Sequence, residues 1–276
     1  MTASDGYVMK NGYYVIDSHC HIYPEKIAAR AILGTDSFYG VTSSEHGTGS
    51  ELMAKREEYG IDRFVVQSVA TTAKQVRSIN EFIAQEVEKS KGMFIGLGTL
   101  YPDSPDLVSD YKHLRELGLR GVKLHPDIQQ FKIDDYRCLK IYELCEQDDV
   151  PILMHTGDSR YDNSNPNRLC PIMQIYKGLR VIGAHLGGWS VWEEASRRLC
   201  EFENLYVDCS STFPFISSDR AYEMMRRYGA DKILFGTDYR MWSPKKELEV
   251  FFELDFSDEE RKKILSENAL KVYGIK

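Results

Sequence analysis

Short apolar runs alternate with longer amphipathic stretches along the whole chain. The runs are Tyr13–Asp17, Arg63–Val69, Met93–Leu100, Leu119–Leu124, Val150–Met154, Arg180–Ala184, Leu205–Cys209 and Lys232–Phe235. Each is close to continuously apolar, as strands buried on both faces of a covered parallel sheet should be. Between them, Val76, Ile79 and Ile83 fall at i, i+3, i+7, and Cys138, Tyr142 and Cys145 at i, i+4, i+7. Ala221, Met224, Met225 and Tyr228 form a further stripe. Each stripe predicts a helix with its apolar face on the core. Ser257 and Glu260 predict a capping box at the start of the last helix, and Gly274 its end.

Strand and helix alternating eight times in 276 residues predict an α/β fold, a (β/α)8 TIM barrel occupying 1–276 as a single domain. An open doubly wound sheet is the alternative, weakened because no G-x-G-x-x-G follows the first strand. Two connections, Gly34–Ser50 and Gly157–Arg168, read as long polar loops after strand C-termini, the end where such barrels build their sites.

Charge and composition narrow the function classes. With 35 basic and 42 acidic side chains the net charge is −7, and no dense Lys/Arg run offers a stripe for nucleic acid. No apolar stretch approaches the roughly 18 residues of a membrane span. The first twelve residues lack a leader pattern, so a soluble, cytoplasmic protein without nucleic-acid or membrane partners is expected. The six cysteines show no C-x-x-C spacing and read as small buried hydrophobes.

The histidines change the picture most. His19 and His21 close the first run two residues apart, so on a strand both face one side while Cys20 faces the other. His155 ends the fifth run, His185 the sixth, and Asp238 follows the eighth. In a closed barrel these ends converge, and three imidazoles with a carboxylate suit a divalent cation, zinc foremost. On the fourth run Lys123 and His125 share a face, and a lysine pointing inward there would pair with a carboxylate or a substrate's acidic group. One metal per chain is expected over two. Arg160, on the loop after the fifth run, is a candidate grip for a substrate carboxylate. Tyr39 and His46 are placed on the loop after the first.

The runs Ile16–His21, Gly121–Pro126, Pro151–Gly157, Gly183–Gly188, Asn204–Asp208, Phe235–Asp238 and Glu267–Ala269 together resemble the amidohydrolase superfamily. Within it they resemble the amidohydrolase-related group that includes aminocarboxymuconate-semialdehyde decarboxylase. The resemblance implies a distorted (β/α)8 barrel, whose two-metal members would make Lys123 a carboxylated bridge, with His155 and His185 on the second metal. His19, His21, His155 and Asp238 would bind the metal, with Asp238 and His185 as the catalytic groups; homodimers, frequent in the group, are a further expectation. It departs from the group's pattern at Arg240, where a proline often stands. The leading expectation is a hydrolase directing a metal-activated water at a small cyclic or carboxylated substrate (an amide, lactone or related C–O or C–N bond). The alternatives are a non-oxidative metal-dependent decarboxylase and a catalytically inactive ligand-binding barrel.

Overall fold

A computed structural model describes residues 8–43 and 45–275, so part of the N-terminal stretch read for a leader lies outside the described residues. The strands are β1 (Ile16–His21), β2 (Arg63–Gln67), β3 (Phe94–Gly96), β4 (Gly98–Thr99), β5 (Val122–Leu124), β6 (Ile152–Met154), β7 (Val181–Gly183), β8 (Leu205–Asp208) and β9 (Ile233–Leu234). All neighbours pair in parallel, in the orders β1-β2-β3 and β4-β5-β6-β7-β8-β9.

The run expected as one third strand is divided between the two sheets. At the join, Leu97 N–H donates to Val66 O and Gly98 N–H donates to Gly121 O, each at 2.9 Å, so consecutive residues bond to opposite neighbours. The other seam closes through Ser18 N–H to Phe235 O (2.8 Å), Tyr239 N–H to His19 O (3.1 Å) and His21 N–H to Tyr239 O (2.8 Å). These bonds complete the TIM barrel.

The first strand begins and ends later than the expected Tyr13–Asp17, because pairing on both sides continues through the histidines. Its register against β2 shifts between Asp17 and Cys20, a bulge at the barrel rim. Inward residues Ile16, Val65, Ile95, Leu153, Ile182 and Leu234 form an inner core, against which Ala269, Val272 and Tyr273 pack. A larger outer layer joins strands to helices and contains Cys20, Cys138, Cys145 and Cys209. The capping box at Ser257 and Glu260 forms as expected.

Three helices frame the site: α1 (Glu25–Tyr39), α2 (Gly49–Tyr59) and α3 (Val76–Lys89). The expected loop Gly34–Ser50 is therefore shorter, with its ends inside α1 and α2. Gly34, Thr35, Asp36 and Ser37 are poor helix formers, yet Asp36 is fixed by Arg240 Nη1 at 2.9 Å. The loop after β6 likewise ends where the helix Pro166–Ile175 begins. It approaches its neighbour so closely that a Cβ on Gly157, at φ +78°, would lie 2.4 Å from the Gly188 carbonyl carbon. Among the described residues no helix is long and apolar enough to cross a membrane.

Candidate active site

The C-terminal rim of the barrel gathers His19, His21 and Asp238. His19 Nε2 lies 3.2 Å from His21 Nε2, and Asp238 Oδ1 lies 3.5 Å from each nitrogen. Three of the expected metal ligands thus aim at one small volume, with Cys20 turned into the outer core.

Hydrogen bonds behind these side chains set their tautomers. Asp208 Oδ2 accepts the His19 Nδ1–H at 2.9 Å, which leaves the Nε2 lone pair facing the cluster. The sequence expectations give Asp208 no part, although it ends its strand as His155 and His185 end or follow theirs. Burial pushes the Asp208 carboxyl up, but the His19 imidazole and its hydrogen bond outweigh this and hold it far below the usual range. Asp238 is held low against its own burial by His19, His185 and His21. Its Oδ2 accepts from Ser211 Oγ–H at 2.7 Å, and Ser211 Oγ accepts from Trp242 Nε1–H at 2.8 Å. Trp242 follows Asp238 closely in the sequence, but neither it nor Ser211 carries a part in the sequence expectations.

A second chain runs through His185 and His155. The Ser210 carbonyl oxygen, 3.1 Å from His185 Nδ1, can only accept, so Nδ1 carries the proton. His185 Nε2 then accepts from His155 Nδ1–H at 3.1 Å. His155 Nε2 is left as a buried lone pair with no hydrogen-bond partner. Burial holds His185 down at about 4 and His155 well below the ordinary imidazole value, so both are neutral near pH 7.

His155 does not share the volume of the first three ligands. It stacks on His125 with ring centroids 3.9 Å apart, and its Nε2 lies 3.8 Å from Asp127 Oδ2. His125 is already satisfied, because its Nδ1 accepts from Ile128 N–H at 3.3 Å and its Nε2 meets Tyr39 Oη at 2.7 Å. Tyr39 reaches this position from the last turn of α1, a helix the sequence did not reveal. His46 lies exposed on the loop before α2.

Lys123 is fully buried beneath the first cluster, its Nζ 3.1 Å from His19 Nε2. Burial lowers it to about 8, opposed by the charges of Asp208 and Asp238. Arg160 does not stand free to grip a substrate. Its Nε and Nη2 bond Asp158 at 2.9 and 2.7 Å, and its Nη1 bonds Phe38 O at 2.7 Å. It also lies over the Phe38, Tyr39, Tyr161 and Trp189 rings at 5.2 to 5.7 Å, pinning the end of α1 to the barrel mouth.

The donor set fits a divalent cation on three observations. The His19 Nε2 is oriented by a carboxylate–histidine pair, the buried His155 Nε2 lacks a partner, and the ligand atoms of His19, His21 and Asp238 lie within 4.8 Å of one another. A cavity of about 650 Å³ opens from these residues beneath α1.

Comparison with known proteins bears on the family and the fold. The amidohydrolase family model matches residues 16–275. The gamma-resorcylate decarboxylase of Polaromonas sp. is 22% identical over 284 residues, covering 79% of this chain and 85% of that protein. The 2-amino-3-carboxymuconate-6-semialdehyde decarboxylase of Dictyostelium discoideum is 24% identical, over 71% of this chain and 66% of its own length. The 5-carboxyvanillate decarboxylase of Novosphingobium aromaticivorans, solved with manganese and 4-hydroxy-3-methoxy-5-nitrobenzoic acid, superposes with a TM-score of 0.74 at 18% identity, covering 100% of both chains. That likeness establishes the fold.

Proposed function

Because this chain belongs to the amidohydrolase family, we propose that it is a divalent-metal-dependent carboxy-lyase releasing carbon dioxide from a small carboxylic acid. The observation that carries this reading over hydrolysis is the engagement of both Asp238 oxygens. Oδ1 faces the two Nε2 lone pairs and Oδ2 is capped by Ser211, itself capped by Trp242. A hydrolase of this design needs that carboxylate to take a proton from water and pass it to a leaving group. Here it is built to hold a cation. The curated relatives named above, both decarboxylases, point the same way.

His19, His21 and Asp238 would hold the ion; His155, which the family resemblance adds, presents its unpartnered Nε2 toward Asp127 and would have to turn to join them. This set suits zinc, the ion expected from the sequence, and also manganese, which the Novosphingobium enzyme holds. A bound ion supplies Lewis-acid polarisation of a substrate oxygen. Decarboxylation breaks the bond to the carboxylate carbon and leaves its electron pair on the substrate, which must gain one proton. The proton comes from water in the cavity, which His185 lines; His185 would relay it once its Nε2 leaves the His155 N–H and takes up a proton, with Nδ1–H held by Ser210.

The test is isotopic. Metal-loaded protein is incubated with 2,6-dihydroxybenzoate and related ortho-hydroxy aromatic acids in deuterated, 18O-enriched water. Carbon dioxide release with one deuterium and no 18O in the organic product is expected. Incorporation of 18O without carbon dioxide would restore the hydrolase reading.

A further inference from the structure

Tyr39 carries a proton that no protein group accepts among the described residues. His125 Nδ1 accepts from Ile128 N–H, so the ring proton of His125 sits on Nε2 and is donated to Tyr39 Oη at 2.7 Å. The phenol oxygen is therefore an acceptor there, and its own O–H is left to donate elsewhere. The donors around Asp238 are committed by contrast. Trp242 Nε1–H goes to Ser211, Ser211 Oγ–H to Asp238, His155 Nδ1–H to His185, and His185 Nδ1–H to the Ser210 carbonyl.

Several ties hold this hydroxyl in place. Arg160 Nη1 bonds Phe38 O, Arg240 Nη1 bonds Asp36, and the Tyr39 ring meets Trp189 edge-on with centroids 5.4 Å apart. Held there, Tyr39 borders the main cavity together with His185 and Asp238. The same three residues also bound a side recess of about 10 Å³, which admits one water-sized group. Val41, Trp189, Phe215 and Met241 give that recess walls that are mostly carbon.

We propose that the recess is the subsite of the departing carboxylate: one carboxylate oxygen enters it and accepts the Tyr39 Oη–H, while the rest of the acid lies in the larger cavity. The assignment rests on the carboxy-lyase reading for the reaction, though not for binding. In that reaction the bond from the substrate carbon to the carboxylate breaks and its electron pair stays on the substrate. Carbon dioxide leaves neutral, and a proton from water takes its place on the carbon. Negative charge therefore leaves the recess. Carbon walls disfavour a carboxylate and accept neutral carbon dioxide. An uncharged phenol orients the carboxylate without the pull of an arginine, which would favour the charged ground state over the transition state.

The test compares two acids with the phenols they would leave, 2,6-dihydroxybenzoate with resorcinol and salicylate with phenol. Calorimetric affinities are measured on metal-loaded wild type, Tyr39→Phe and Val41→Phe. Wild type should bind each acid more tightly than its phenol. Tyr39→Phe should weaken the acids roughly 10- to 100-fold, as loss of a hydrogen bond to a charged acceptor does, and the phenols by no more than about twofold. Val41→Phe, which narrows the recess, should likewise weaken only the acids. A purely structural role for Tyr39 would weaken acid and phenol alike, and that result would overturn the proposal. So would acids that bind wild type no better than their phenols, or acid affinities unchanged in either variant. Should the binding pattern hold while no acid releases carbon dioxide, the carboxy-lyase reading falls and the carboxylate subsite stands. Carbon dioxide release by Tyr39→Phe with wild-type kcat and KM would leave that reading standing and remove the subsite.

Discussion

Two histidine clusters share the barrel mouth, and they are prepared for different tasks. At His19, His21 and Asp238 the ligand atoms face inward, met there only by the Lys123 ammonium 3.1 Å from His19 Nε2, and buried acids (Asp17, Asp208, Glu247) stand behind them. At His125 and Asp127 the imidazole has both nitrogens engaged, by Ile128 N–H and Tyr39 Oη. Its neighbouring acid Asp158 is paired with Arg160. His155 stands between them, stacked on one cluster and linked through His185 to the other. Proximity of histidines and carboxylates is thus a poor guide to metal binding; what separates the clusters is where the hydrogen bonds have already placed the protons.

The largest effect should come from breaking the first cluster. Asp238→Ala removes the anionic ligand, and carbon dioxide release should fall at least about a thousandfold, the several kcal/mol that a Lewis acid contributes. Steady-state turnover on the best acid of the isotopic screen reads this, with circular dichroism to show an intact fold. Asp208→Asn keeps the shape but loses the charge that fixes the His19 tautomer. Its metal affinity should drop roughly 10- to 100-fold in a competitive chelator titration. A smaller loss is expected for Trp242→Phe, which frees the Ser211 hydroxyl behind Asp238: about tenfold or less in kcat, with KM little changed.

The acidic surroundings of the first cluster should also appear in stability. Burial, reinforced by the charges of Asp17 and Asp238, raises Glu247 from 4.5 to about 8. Folded protein therefore keeps this proton at pH values where the unfolded chain has lost it. Stability contributed below about pH 4.5 is lost as pH rises through about 8, by a few kcal/mol at most. Thermal melts should show the wild-type Tm falling across this window and Glu247→Gln flattening that slope. An unchanged slope in the variant would place the titrating group elsewhere.

Much of the first cluster was legible because a strand's period of two puts His19 and His21 on one face, and because parallel strands in a barrel bring their ends together. The strand-end rule that found His155, His185 and Asp238 also covers Asp208, whose part as an orienting acid needed the observed Nδ1 contact. Tyr39 was hidden for a different reason. The Gly34–Ser37 stretch has weak helix propensity and Pro24 supplies no side-chain cap, so α1 depends on tertiary ties from Arg240 and Arg160 that no local pattern records. The Val76, Ile79, Ile83 stripe does face the core, with Val76 and Ile83 buried and Ile79 packed half-buried against it, because helical spacing records an apolar face directly.

The most direct test is a manganese titration of the metal-free protein followed by electron paramagnetic resonance, in wild type, Asp238→Ala and His125→Asn. The expected result is one tight site per chain, abolished in Asp238→Ala and retained in His125→Asn. Two tight sites in wild type, retention in Asp238→Ala, or loss in His125→Asn would contradict the assignment of the metal to the first cluster.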